Sequence, residues 1–170
     1  DSGGDHIISD IMDINCNEDI ISFSGGFPSA ELYPLEDLSS IQENLFKTLG
    51  KQLLLHSPVE GLTSLRTGIS SLMKSRNINI SPKDVMIVSG SQQGLDYIAR
   101  VFIKPGDTVI LEEPSFFGAM QIFRSAGARI IGVPVDNCGM KTDMLESLIQ
   151  RYKPKFIYAL PTFQNPSGIV

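Results

Sequence analysis

Cysteine is scarce in this sequence, long basic runs are missing, and no apolar stretch is long. Only Cys16 and Cys138 occur in 170 residues. They are too few for a disulfide scaffold and have no metal-ligand companions at useful spacing, so both are expected to be reduced thiols. A formal net charge of −5 without a basic run argues against a nucleic-acid footprint in this segment, though not in a partner domain outside it. Neither an unbroken apolar run of membrane-spanning length nor a signal-peptide core is present, so the expectation is a soluble, cytoplasmic protein with no membrane partner. Composition is otherwise ordinary, and the length favours one large domain with a real core.

What is present is organised around Val85-Met86-Ile87-Val88-Ser89-Gly90-Ser91-Gln92-Gln93-Gly94. A short β-branched run breaks into Ser, Gly and amide residues and continues as Leu95, Ile98, Ala99 and Phe102, the pattern of strand, tight turn and helix. Ser89 with Gln92 three residues on fits a capping box, and Gly90 allows close backbone approach. The unpaired amides and partial positive charge of a helix start then suit a phosphate monoester. A capped helix without any ligand explains the same residues, so the turn needs support from elsewhere.

Before this stretch, residues 6–17 suggest an amphipathic arm, 20–23 a brief extended piece, and Gly25-Gly26-Phe27-Pro28 a loop. Helices are expected from Pro34 to Gly50 and from about Gly61 to Asn77, both chiefly core-forming. After it come strands at 85–88, 108–112, 129–133 and 156–160. Between them lie a turn at 104–107, a helix at about 116–126, a loop at 136–139 and a helix capped by Thr142. Such repeated crossovers require an α/β architecture, a three-layer αβα arrangement with a mostly parallel sheet. Ligands in such sheets gather beyond the carboxyl ends of the strands, which selects residues 89–93, 113–117 and 161–168. These loops supply anion-binding amides, the aromatic pair Phe116-Phe117, and the carboxamide of Asn165 beside a rigid Pro166. A flat, phosphorylated heteroaromatic ligand with a ring hydroxyl would use all three.

Rival patterns are weaker. Glu112 and Glu113 follow the Gly90 turn at about the interval of a ribose-binding acid, but the three-glycine fingerprint of a dinucleotide site is incomplete. Ser71-Leu72-Met73-Lys74 has the serine–lysine spacing of acyl-transfer enzymes without their companion motifs, and a solvated helix face explains it better.

Taken together, Ser89-Gly90-Ser91-Gln92-Gln93-Gly94-Leu95-Asp96, Pro105-Gly106-Asp107, Glu112-Glu113-Pro114-Ser115-Phe116 and Gln164-Asn165-Pro166-Ser167-Gly168 resemble the fold-type I aminotransferases that use pyridoxal 5′-phosphate. The entry Ile21-Ser22-Phe23-Ser24-Gly25-Gly26-Phe27-Pro28 is similar to the subgroup of aminoadipate and kynurenine aminotransferases. The resemblance implies that Ser91 and Gln92 bind the cofactor phosphate. It also implies that Phe116 stacks on the pyridine face, that Asn165 donates to the ring oxygen, and that Gly26 lies beside the substrate carboxylate. His56 stands where the family usually has a tyrosine reaching the phosphate across a dimer interface.

The same motifs resemble the aminotransferase-like domain of MocR-type (GntR family) transcriptional regulators, where pyridoxal phosphate chemistry serves as a sensor. In both families the Schiff-base lysine, the aspartate at the pyridine nitrogen and the substrate-binding arginine lie beyond the asparagine motif. None of Lys74, Lys83, Lys104, Lys141, Lys153 or Lys155 falls in a matching context. The resemblance therefore implies the N-terminal half of a longer protein, with residues 1–34 as arm and substrate-side loop and 35–170 as the first part of the cofactor-binding domain. Such a fragment is expected to be inactive in transamination alone. Amino acids and 2-oxo acids are the implied substrates or effectors, a homodimer the implied assembly, and an exposed apolar face is expected to make the fragment self-associate.

Overall fold

The computed structural model describes residues 28–170. The arm at 6–17, Cys16, the extended piece at 20–23 and Gly26 lie outside the described residues. The chain divides into two compact parts, residues 1–56 and 57–170.

In the first part, helix α1 (Leu35–Leu49) starts after Pro34, whose fixed φ suits a helix entry. It stops at Gly50, where φ is +53° and the backbone N–H donates to the Phe46 carbonyl. A 3-10 turn, Gly50–Leu54, follows. Leu35, Leu38, Ile41, Leu45, Phe46 and Leu49 recur at helical spacing, yet all are exposed. Expecting this face to be core was wrong: periodicity specifies a stripe that favours cover, not what covers it.

The second part opens with α2 (Thr63–Ser75). Its Leu65 and Leu72 are likewise about half exposed rather than core. The expected strand at 85–88 forms no ladder among the described residues. The segment is tied by Ile87 N–H donating to the Glu60 carbonyl at 3.0 Å. Extended propensity was legible there, but a ladder needs a neighbouring strand.

Helix α3 (Gly90–Phe102) follows, and the turn at 104–107 leads into β1 (Thr108–Glu113). Helix α4 (Phe117–Ser125), β2 (Arg129–Asp136), β3 (Gly139–Met140), α5 (Leu145–Tyr152) and β4 (Phe156–Tyr158) complete the part. The expected loop at 136–139 instead closes a small hairpin, with Asp136 accepting from Cys138 N–H and Gly139 at φ +98°. Thr142 does not cap α5; it begins a 3-10 turn, Thr142–Met144, with no side-chain cap bond. The last strand ends two residues early, at Tyr158.

Strand order is β3-β2-β1-β4, with β1 parallel to both β2 and β4 and the β2–β3 pair antiparallel. One face presents Val109, Leu111, Ile130, Phe156 and Tyr158 to α3 and α4, where Ala99, Ile103, Ala119 and Phe123 close the core. Phe123 is fully buried and meets the rings of Phe156 and Tyr158 edge-on at 5.4 and 5.6 Å. By alternation the other face carries Ile110, Ile131 and Val133. On that face the Arg129 guanidinium lies 5.0 Å from the Tyr152 ring of α5. Helices thus attend both faces of an α/β sheet, as expected.

Only residues 103–107 separate α3 from β1, and Ala99 and Ile103 of the helix end share one buried cluster with Val109 and Leu111, against which Leu95 of the first helical turns also packs. Helix and strand therefore run antiparallel. The N-terminus of α3 is consequently carried to the edge where β1 and β4 end.

Candidate cofactor site

At the start of α3, the first four backbone N–H groups lack intrahelical acceptors by geometry. The backbone at the helix entry is partly satisfied locally: Ser89 N–H donates to Gln93 Oε1 at 2.5 Å and Gly90 N–H to the Val88 carbonyl at 3.0 Å. The Gln93 carboxamide is held in turn by donating to the Tyr97 hydroxyl at 2.8 Å. This corrects the expected capping box, since the residue reaching back is Gln93 rather than Gln92, and Ser89 makes no side-chain cap bond.

What remains is informative. Among the described residues, the backbone N–H groups of Ser91 and Gln92 and both side chains have no hydrogen-bond partner, and both residues are exposed. Gly90 adopts φ +80° and a Cβ there would meet nothing within 4 Å, so the approach is open. Two free amides, a hydroxyl and a carboxamide at the positive end of a 13-residue helix form a donor set that fits a phosphate monoester.

The loops after β1 and β4 are joined by buried polar groups. Gln164, 3% exposed, donates from Nε2 to Glu112 Oε2 at 3.1 Å and to the Pro114 carbonyl at 2.7 Å. Its Oε1 accepts from Ser167 N–H at 2.8 Å and from Ser167 Oγ at 2.5 Å. Glu112, 2% exposed, also accepts from Leu160 N–H at 3.1 Å. A carboxylate so occupied is not free for a ribose hydroxyl, which withdraws Glu112 from the dinucleotide alternative and leaves only the exposed Glu113. Burial, and then the negative charge of Glu112, push the Tyr158 hydroxyl above its ordinary pKa.

Phe116 is half-buried, with its ring lying over Gly118 and packed against the core; a Cβ at Gly118 would stand 2.8 Å from the ring carbons Cε1 and Cζ. Glycine at 118 thus makes room for that ring. Ser115 Oγ is buried without a partner among the described residues. Asn165 is exposed, next to the buried Gln164.

The structure therefore couples the loops of Phe116 and Asn165 directly through Gln164, while Leu95 of α3 and Phe116 each pack against the same core cluster. His56 is exposed and ends the first part; Gly26 is outside the described residues. A cleft of about 510 Å³ beside the second loop is lined by Glu113, Pro114, Ser115, Met120 and Arg124 among others. Another of about 490 Å³, beside the first loop, is lined by Met86, Val88, Ser89, Gln93 and Tyr97 among others. Neither takes in Ser91, Phe116 or Asn165. The roles of Gln93, Glu112 and Gln164 as braces escaped sequence reasoning, and only the position of Gln164 beside Asn165 offered a hint.

Several known proteins are similar to this chain over nearly its whole length. The chain is 37% identical over 161 residues to the 2-aminoadipate transaminase of Thermus thermophilus, covering 95% of this chain and 39% of that protein. It is 30% identical over 164 residues to the HTH-type transcriptional regulator YdfD of Bacillus subtilis, covering 96% of this chain and 34% of the regulator. Among solved structures, LysN, the α-aminoadipate aminotransferase of Thermus thermophilus complexed with N-(5′-phosphopyridoxyl)-L-leucine, superposes with a TM-score of 0.85 at 36% identity, over 96% of this chain and 39% of that one. The cofactor that these likenesses support is pyridoxal 5′-phosphate. The chain spans 34–39% of the length of these three relatives. Residues 19–170 match the family described as aminotransferase class I and II, and the chain belongs to that family.

Proposed function

We propose that this chain is the leading part of a pyridoxal 5′-phosphate-binding domain in a protein that transfers amino groups between an amino acid and a 2-oxo acid. The observation that carries the reading is the pair of amides at Ser91 and Gln92, unpartnered among the described residues, on the strand-end edge of a chain of this family. In this reading Ser91 and Gln92 hold the phosphate through backbone and side-chain donors. Phe116 lies against the flat face of the ring, and the Asn165 carboxamide donates to the ring oxygen and favours its ionised form. His56 supplies a further hydrogen bond to the phosphate across a homodimer interface, and Gly26 borders the substrate carboxylate. When bound, the cofactor supplies an electron sink for the carbon that bears the amino group.

A second reading is favoured by the regulator relatives: the same domain serves as an effector domain that senses pyridoxal phosphate or an amino compound. The test is made on the full-length protein. A visible absorbance band on purification or on adding pyridoxal phosphate, with turnover of an amino donor and a 2-oxo acid, supports the enzyme. The band without turnover, accompanied by specific DNA binding, supports the regulator. No band and no saturable binding of pyridoxal phosphate refutes both.

A further inference from the structure

We infer that Gln164 is a positioning residue: its buried carboxamide fixes Asn165 relative to Phe116 and so sets how the ring oxygen of the cofactor is held, an inference that rests on the reading just given. Its two N–H donors go to Glu112 Oε2 and the Pro114 carbonyl, and its Oε1 accepts twice from Ser167. Every hydrogen-bonding capacity of the amide is filled. Its backbone joins the same lock, with Gln164 N–H donating to the Ile169 carbonyl at 2.8 Å and Gly168 N–H to the Gln164 carbonyl at 2.5 Å.

A second observation points the same way. Phe163, immediately before, adopts φ +51° and is 74% exposed. Left-handed backbone at a bulky residue is uncommon and persists where the surroundings over-determine it. Here it turns Phe163 outward and Gln164 inward. A residue that only filled space would be apolar, since a buried amide is costly unless fully bonded. These side-chain bonds run to the end of β1 and the loop leading to Phe116, and to the turn carrying Asn165.

The test uses the full-length protein loaded with pyridoxal phosphate and follows its visible absorbance against pH. Asn165→Ala, which removes a donor to the ionised oxygen, sets the reference by moving the spectral midpoint upward. Gln164→Leu is expected to move it in the same direction, and the double variant no further than Asn165→Ala alone. Affinity for pyridoxal phosphate, set mainly by Ser91 and Gln92, is expected to stay within about tenfold of the parent. Ser167→Ala, a milder change at an exposed residue that loosens the same amide, is expected to give a smaller upward shift and serves if Gln164→Leu does not fold. A folded Gln164→Leu protein that titrates like the parent overturns the inference, as does an unshifted Ser167→Ala protein if Gln164→Leu fails to fold. If Asn165→Ala itself leaves the midpoint unmoved, the role of Asn165 falls first and this inference with it.

Discussion

Replacing Ser91 by aspartate sets two consequences of one helix terminus against each other. Ser91 stands in the first turn of α3, exposed, with its hydroxyl and N–H unpartnered among the described residues. An added negative charge at a helix N-terminus stabilises the helix by about 0.3–1 kcal/mol. The same charge beside a bound phosphate costs about 4 kcal/mol per unit charge pair at 4 Å and an effective dielectric near 20. Ser91→Asp should therefore raise the unfolding free energy slightly while weakening pyridoxal phosphate binding by roughly a thousandfold. Ser91→Ala removes one bond to a charged group, about 1.5–3 kcal/mol, and should weaken binding by roughly ten- to a hundredfold with little effect on stability. Absorbance titration of the full-length apoprotein gives the affinities, and urea denaturation gives the stabilities. A Ser91→Asp protein that binds within tenfold of the parent refutes the placement of the phosphate, and α3 then has only a structural N-terminus.

Three further predictions concern the fold. Phe123→Ala empties a fully buried site between α4 and two aromatic rings of β4, and should cost about 3–5 kcal/mol in urea denaturation. Lys153, at the end of α5, adopts φ +46° and ψ +58°; Lys153→Gly relieves that left-handed strain, and thermal melting should show a gain of up to about 1 kcal/mol. Tyr158 has a folded pKa raised above 10.0, so its contribution to stability is intact below that pH and is lost as pH climbs through the raised value. Denaturation above and below pH 10 should show a loss at high pH that Tyr158→Phe diminishes.

The parts of the fold that sequence made legible are those decided by local pattern and burial. β1 reads as a nearly continuous apolar run because Thr108 to Glu112 are buried, as a strand with parallel neighbours on both sides must be. The helix after Gly90 and the turn at 104–107 follow from their breakers. Illegible were the features that depend on what a residue faces. Residues 85–88 have strand composition but no ladder among the described residues, and α1 has a core-like stripe that is exposed. Gln92 and Gln93 are indistinguishable by type, yet Gln93 is spent on Ser89 and Tyr97 while Gln92 has no partner among the described residues. Glu112 suggested a ribose contact by its spacing; its carboxylate instead accepts from residues 48 and 52 positions away, a pairing that no local pattern encodes.

Connectivity, more than loop composition, accounts for the gathering of polar residues at one edge. β1 is the described strand flanked on both sides by parallel partners, so the loops leaving β1 and β4 emerge side by side. Their backbone groups would compete for water there unless bonded to each other. Glu112 and Gln164 meet that demand from within, accepting from Leu160 N–H and donating to the Pro114 carbonyl. The short turn before β1 fixes α3 antiparallel to it and delivers the amides of Ser91 and Gln92, unsatisfied among the described residues, to the same edge. Among the described residues, polar groups are thus bonded inward where the two loops meet and left free at Ser91 and Gln92 alongside them. This contrast, more than the motif alone, supports an anionic ligand at the head of α3.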